Sequence, residues 1–118
     1  MNSILSTTRL FLLSSVLVAM TEVPGLYANK AHDMLLGLSE EKRQAVFSNF
    51  MAGYPDGCGA VTATFFQGKD ASDNAYWNVL CSNGKSYQVQ LDGDARGSTN
   101  ILSCDLLRRV KVECFKKF

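Results

Sequence analysis

The stretch Ala75–Leu91, AYWNVLCSNGKSYQVQL, decides the fold of this chain because it carries the pattern of a β-hairpin. Two runs of alternating apolar and polar residues flank the dipeptide Asn83-Gly84. Asparagine and glycine readily adopt the positive φ angles of a two-residue type I′ turn, whose twist matches that of paired strands. The stretch therefore predicts a strand, a tight turn and a second strand.

A two-residue turn would also fix which side chains share a face of the hairpin. It places Ser82 opposite Lys85, and counting outward then pairs Trp77 with Gln90. The predicted core face carries Tyr76, Leu80, Tyr87, Val89 and Leu91. The predicted opposite face carries Trp77, Val79, Cys81, Ser86, Gln88 and Gln90. A one-residue bulge would exchange the two faces on one strand.

Length and composition limit the chain to a small globular protein. It has 118 residues, of which 47% are hydrophobic, so one folded domain is expected rather than a disordered chain. The net charge at pH 7 is +1, so bulk electrostatics favours neither nucleic acid nor an acidic partner. No nucleic acid is expected as a partner.

Residues 1–28 have the organisation of a secretory signal peptide. One basic residue and no acid precede the eleven-residue apolar run LFLLSSVLVAM at 10–20, and a polar stretch then ends at Tyr27-Ala28. We expect cleavage after Ala28, a mature domain over 29–118 and a periplasmic or secreted location. The apolar run at 10–20 is too short to cross a bilayer as a helix. No membrane span is expected in the mature chain. An uncleaved membrane anchor or a buried helix is the alternative.

The cysteines agree with export. Their number is even, and all follow the apolar run: Cys58, Cys81, Cys104 and Cys114. In an exported chain of this size, four such cysteines indicate two disulfides. Three pairings are possible, and we favour Cys58–Cys81 with Cys104–Cys114, since a hairpin between the first two would bring their ends together.

The remaining patterns complete an α+β fold. Ser39 reads as an N-cap for an amphipathic helix over 40–51, and 58–67 and 99–104 read as strands. Residues 29–37 are expected to be loose at their start. The last residues could form a helix or a strand, and 110–114 alternate like a strand. We expect one amphipathic helix packed on the core face of a three- to four-stranded antiparallel meander, with two disulfides.

No catalytic, cofactor or metal site can be assembled from the sequence. His32, which is the chain's single histidine, lies in the expected loose segment, so a solvated histidine is the interpretation. The cysteines lack the close spacing of zinc ligands, and disulfides are favoured. Asp92 and Asp94 lack the spacing of an EF-hand loop, and turn formation explains them. No cofactor is predicted.

Two groups of residues remain as binding candidates. Trp77 falls on the mixed face with Val79, Gln88 and Gln90, where an exposed indole among amides would suit a protein or glycan partner. Trp77 could equally belong to a second small core beside Cys81. The second group is the basic C-terminal end, which includes Arg108 and Arg109 and could contact anionic lipid, glycan or nucleic acid, although a solvated edge also explains it.

Several short motifs resemble known families. FFQG at 65–68, WNVLCSNGKSYQVQL at 77–91, GST at 97–99, ILSC at 101–104 and CFKKF at 114–118 resemble a group of small exported proteobacterial proteins; this resemblance implies export and brings no activity. A helix followed by strands with a G-x-x-Y-x-V hairpin is similar to PepSY-type domains, which are linked to protease inhibition or regulation. The cysteine-bearing strands are also similar to those of periplasmic lysozyme inhibitors, whose S-G-x-x-Y loop this chain lacks.

The sequence thus favours a non-enzymatic binding or accessory protein of unknown partner, with a hydrolase inhibitor as the sharper hypothesis. A small hydrolase or redox enzyme is the alternative, and its redox form would need a labile Cys104–Cys114 disulfide. An anion-binding module that uses the basic C-terminal residues is the third possibility.

Overall fold

The described residues form three helices and a four-stranded antiparallel sheet. The computed structural model describes residues 29–94 and 96–118, so the expected signal peptide lies outside the described residues. The helices are α1 (Lys30–Leu36), α2 (Glu40–Met51) and α3 (Cys104–Arg109). The strands are β1 (Val61–Lys69), β2 (Ala75–Cys81), β3 (Ser86–Leu91) and β4 (Thr99–Ser103), in the meander order β1-β2-β3-β4. The expected α+β class is confirmed.

The central hairpin forms, but its predicted register is wrong by one residue. Leu80 lies opposite Ser86 and Trp77 opposite Val89. The backbone N–H of Cys81 donates to the Lys85 carbonyl over 2.8 Å, which leaves a three-residue loop. The last loop residue, Gly84, has φ +88°, as three-residue hairpin loops require. Because the loop has one residue more than predicted, the side chains of β2 lie on the faces opposite to those predicted. The side chains of β3 lie on their predicted faces.

One face of the sheet therefore carries a continuous apolar core under α1 and α2. Its strand residues include Ala75, Trp77, Val79, Cys81, Tyr87, Val89 and Leu91, all 4% exposed or less. Phe47 and Met51 of α2 complete it, so α2 covers the Trp77 side of β2 and not the predicted Tyr76 side. The Ser39 cap is confirmed, because its hydroxyl accepts from the Lys42 N–H.

The segment before α2 is ordered, contrary to expectation. Asn29 caps α1 by accepting from the His32 N–H, and its side-chain amide donates to the carbonyls of Asp73 (2.7 Å) and Leu91 (2.9 Å). Arg43 then binds the carbonyls of Leu35 (3.0 Å) and Leu38 (2.7 Å). Long-range hydrogen bonds thus hold a helix of seven residues that would be marginal alone.

Both favoured disulfides form, Cys58–Cys81 beside the core and Cys104–Cys114 at the C-terminal end. The strand expected at 110–114 is wrong, because these residues form turns after α3. Lys111 has φ +64°, which reverses the chain and prevents an extended run. No helix within 29–94 and 96–118 is long and apolar enough to cross a bilayer.

Candidate functional site

The sheet face opposite α1 and α2 carries three buried amide side chains, Gln67, Asn78 and Gln88. They are 2%, 0% and 5% exposed, and we call this side of the sheet the amide face. Gln67 is the extra residue of a bulge in β1, since Phe66 pairs with Trp77 and Gly68 with Tyr76. The bulge places the Gln67 side chain against the amides of its two neighbours.

Gln67 uses its full hydrogen-bonding capacity at this point. Its carbonyl oxygen accepts from Gln88 (2.9 Å) and from Asn78 (3.2 Å). Its NH₂ group donates to the main-chain carbonyls of Glu113 (2.7 Å) and Lys116 (3.0 Å). A buried amide is costly unless its groups are paired, so this geometry fixes the position of the C-terminal residues.

We call residues 104–118 the C-terminal segment, whose end lies on the amide face. The Phe115 N–H donates to the Asn78 side-chain oxygen over 2.7 Å, and the Phe118 N–H donates to the Gln67 main-chain carbonyl over 3.2 Å. These bonds and the two that the Gln67 NH₂ group donates all engage the main chain of the segment. The amide face therefore holds the segment by its backbone and leaves its side chains available for other contacts.

The aromatic residues of the segment rest on the rim of the sheet. The Phe118 ring meets Tyr76 edge to face at 5.3 Å between centroids, and a Cβ at Gly68 would come within 2.6 Å of the Phe118 ring. The Lys117 ammonium lies 4.5 Å from the centre of the Phe66 ring, within cation–π range. The contacts of Phe118 and Lys117 with the residues before and after Gln67 in β1 thus position the end of the segment.

A cavity of about 650 Å³ opens between the segment and the sheet. Four cationic side chains line it together with Gln67, Val112, Glu113 and Phe118; the cations are Arg108, Lys111, Lys116 and Lys117. Glu113 is the single acid of this lining within the described part of the chain. The whole segment holds five basic and two acidic side chains, a formal charge of +3 in a chain whose net charge is +1.

The acids near the cavity neutralise its cations only weakly. Arg108 pairs with Asp105 at 3.1 Å and Lys116 with Glu113 at 3.6 Å, and all four side chains are at least 65% exposed. Exposed pairs of this kind contribute about 0–1 kcal/mol, so each cation can still engage another anion. Lys111 makes no ion pair with any residue in the described ranges. The arrangement suits the binding of a negatively charged group.

The Cys104–Cys114 disulfide anchors both ends of the loop that carries Arg108, Lys111 and Glu113. Ser103 caps α3 by accepting from the Asp105 N–H, which sets where the loop begins. Cys104 is buried and Cys114 is half-buried. Covalent closure and the amide bonds together limit how far the cavity walls can move.

The structure separates the sequence-predicted binding residues. Trp77 is 1% exposed and Val79 0%, so both belong to the core; of the two alternatives for Trp77, a core position beside Cys81 is the one found, and the exposed recognition face is wrong because β2 is turned over. Gln88 lies in the amide network, and Gln90 donates to Asp92 over 2.7 Å. Arg108 lines the basic cavity, whereas Arg109 is exposed outside its lining.

His32 is buried, and the solvated histidine expected from the sequence is wrong. It is 1% exposed, and its Nδ1 accepts a hydrogen bond from the Trp77 indole N–H over 3.0 Å. Burial lowers the pKa of His32, and nearby Lys69 lowers it further, against a smaller raising effect of Asp33 and Asp73. The imidazole thus serves as a neutral core acceptor.

The acidic loop residues act within their own turns. Asp70 accepts from Ser72, Asn74 and the Tyr76 hydroxyl, and Asp94 accepts from Ser98. The Tyr76 hydrogen bond is the main cause that lowers the pKa of Asp70, while burial, followed by Asp70, raises the pKa of Tyr76 to about 12. In the part of the chain that the structure describes, no three His, Cys, Asp or Glu side chains converge as metal ligands.

Comparison of the chain with protein-family models, with curated proteins and with solved structures found no match. The resemblances drawn from its motifs therefore remain predictions.

Sequence reasoning missed the amide network. Gln67 carried one signal, the glycine that follows it within a strand pattern, because such a glycine often marks a bulge. The partners of the Gln67 side chain lie 11 to 49 residues away along the chain, so no local pattern could have linked them.

Proposed function

We propose that this chain is an exported, non-enzymatic binding protein that takes an anionic ligand on the cationic surface of its C-terminal segment. The observation that supports this is the cavity of about 650 Å³ lined by Arg108, Lys111, Lys116 and Lys117. Its walls are held by a disulfide and by buried amides, so the main chain that carries the cations is positioned before a ligand arrives. Such preorganisation lowers the cost of binding.

Export is part of the proposal. It is supported by the signal-like pattern of residues 1–28 and by two disulfides, because disulfides persist in oxidising compartments. The periplasm or the exterior of the cell fits both features.

Two features support binding over hydrolysis. Ser–His and Cys–His sites need an accessible imidazole, whereas His32 is buried and accepts from Trp77. The cationic groups, in contrast, surround an open cavity. A protein or glycan partner bound through Trp77 is no longer proposed, since that side chain lies in the core; hydrolase inhibition and redox activity remain predictions from the sequence.

Calorimetric titration with inorganic tripolyphosphate, at about 20 mM salt so that screening is weak, tests the proposal. We expect binding that weakens as salt rises. The double variant Arg108→Gln/Lys111→Gln should bind about 25-fold more weakly, at about fivefold for each lost charge. The matched control Lys42→Gln/Lys85→Gln removes two exposed cations elsewhere and should change affinity less than about twofold. Equal losses in both double variants, or no binding at low salt, would contradict the proposal.

A further inference from the structure

The C-terminal segment exposes large apolar side chains among its cations. Val112 is 37% exposed, Phe115 39% and Phe118 67%. Val112 and Phe118 line the basic cavity, and Val112 and Phe115 line a neighbouring cavity of about 300 Å³. The two cavities share Arg108, Val112 and Glu113, so the apolar and cationic groups form one continuous surface.

The hydrogen bonds that hold the segment do not depend on these apolar side chains, of which Phe115 contacts the Phe65 ring at 6.2 Å and Phe118 the Tyr76 ring at 5.3 Å between centroids. The amide face holds the segment through main-chain atoms of residues 113, 115, 116 and 118, which any side chains would supply. Phe118 covers one rim position beside Tyr76 and Gly68 and leaves two thirds of its surface to solvent. Exposed phenylalanines beside cations indicate contact with a partner that is both anionic and apolar.

A second apolar surface on the molecule lacks this charge. A cavity of about 450 Å³ between α1 and α2 is lined mostly by apolar residues that include Met34, Val46 and Phe50, and no charged residue among 29–94 and 96–118 contributes to its lining. Phe50 is 39% exposed, the same fraction as Phe115. The mixture of cations and exposed aromatics thus distinguishes the C-terminal segment from the helical surface.

We propose that the anionic partner of the C-terminal segment is the surface of a lipid bilayer that contains anionic lipid. Five cations lie between residues 108 and 117, a number within the range of basic clusters that bind anionic lipid. The cations pair with headgroup phosphates, while Phe115, Phe118 and Val112 enter the boundary between headgroups and acyl chains. This inference rests on the proposed function and specifies its ligand.

Sedimentation with lipid vesicles tests the inference. The full chain is mixed at about 100 mM salt with vesicles of phosphatidylglycerol and phosphatidylcholine, or of phosphatidylcholine alone. We expect binding to the first kind and at least tenfold weaker binding to the second. Lys111→Gln/Lys116→Gln should weaken binding about 25-fold, at about fivefold per cation. Phe118→Ala and Phe115→Ala should each weaken it about tenfold.

The controls use the helical surface. Phe50→Ala removes an equally exposed phenylalanine, and Lys42→Gln removes an exposed cation, so each should stay within about twofold of the unaltered chain. Because Phe118 is mostly exposed, its variant should keep the unfolding midpoint of the unaltered chain, which separates lost contact from lost fold.

The outcomes separate the two proposals. Tripolyphosphate binding without vesicle binding would overturn the bilayer assignment and leave the anion site standing. Equal binding to both kinds of vesicle, or equal losses from Phe50→Ala and Phe118→Ala, would also overturn it. Failure to bind either tripolyphosphate or vesicles would overturn the proposed function itself.

Discussion

The two faces of the sheet bury different kinds of side chain. The face under α1 and α2 buries aromatic and aliphatic side chains around Trp77, with ring contacts to Phe47 at 5.9 Å and Phe66 at 5.1 Å. The amide face buries Gln67, Asn78 and Gln88, and it pairs Gln67 and Asn78 with the main chain of the C-terminal segment. The first arrangement stabilises through apolar area, and the second positions a segment through directed hydrogen bonds.

The difference has a functional consequence. A segment held by its backbone can place its side chains outward, whereas α1 and α2 must bury part of their apolar side chains, such as Leu35, Phe47 and Met51, to form the core. The C-terminal segment accordingly presents cations and phenylalanines to solvent, and the proposed ligand site lies there. Stability and binding are therefore expected to respond to different substitutions.

The largest effect is expected from Trp77→Ala. It removes the largest core side chain and the indole partner of His32, so the free energy of unfolding should fall by about 3–5 kcal/mol. Urea unfolding followed by circular dichroism measures this loss. Leu102→Ala is the control on the amide side, where Leu102 is 43% exposed, and it should cost less than about 1 kcal/mol. A folded Trp77→Ala chain with a similarly small loss would mean that the two faces do not differ as described.

The next effect concerns the amide face. Gln67→Glu keeps the shape but replaces a donor by a carboxylate oxygen beside the carbonyls of Glu113 and Lys116, so about 1–3 kcal/mol should be lost. Amide hydrogen exchange should speed up at Phe115 and Phe118 while β2 and β3 stay protected. Asn100→Asp, an exposed change on β4, should alter neither. If exchange increases across the whole sheet in Gln67→Glu, the network is part of the core and does not serve only to hold the segment.

Lowering the pH should first destabilise the face of the sheet under α1 and α2, where His32 is buried. The pKa of His32 is lowered in the folded state, so the unfolded chain binds more protons as pH falls below about 6.5. The free energy of unfolding should then fall from pH 6.5 towards pH 5, by at most about 1.4 kcal/mol per pH unit. Carboxyls with lowered pKa, such as Glu40 and Asp70, contribute only at lower pH, near their ordinary values. Urea midpoints at pH 5, 6 and 7 test this, and His32→Gln should remove the slope; a slope that persists would contradict the assignment.

The smallest effect on stability is expected from the cations of the cavity. Arg108→Gln/Lys111→Gln removes one exposed ion pair and should change the free energy of unfolding by less than about 0.5 kcal/mol. Urea unfolding measures this change in the free energy of unfolding. The same variant should lose most of its tripolyphosphate binding, so binding and stability should respond differently to it. A large loss of stability would show that these side chains serve the fold.

Much of the fold could be predicted because its signals are local. Ser39 with two following acids marks the start of α2, and alternating residues around Asn83-Gly84 mark the hairpin. A hairpin expected between Cys58 and Cys81 favours the observed disulfides. The register could not be settled in the same way. Asn-Gly fits a two-residue turn and also the end of a three-residue loop, and packing under α2 decides between them.

The candidate site was predicted in part. A basic C-terminal end is visible in the sequence, and Arg108 does line the cavity. Whether Trp77 is exposed or buried could not be predicted, because one more residue in the turn moves the side chains of β2 to the opposite face of the sheet. The sequence also did not indicate that 30–36 form a helix, because that helix depends on hydrogen bonds from Asn29 and Arg43 to carbonyls elsewhere in the fold.

Chemical-shift mapping of the ¹⁵N-labelled chain with tripolyphosphate tests the central claim most directly. Shifts are expected to concentrate in residues 105–118 and at the side-chain amide of Gln67, while the resonances of α1 and α2 stay unchanged. Shifts centred on the apolar cavity between α1 and α2, or no shifts at low salt, would contradict it.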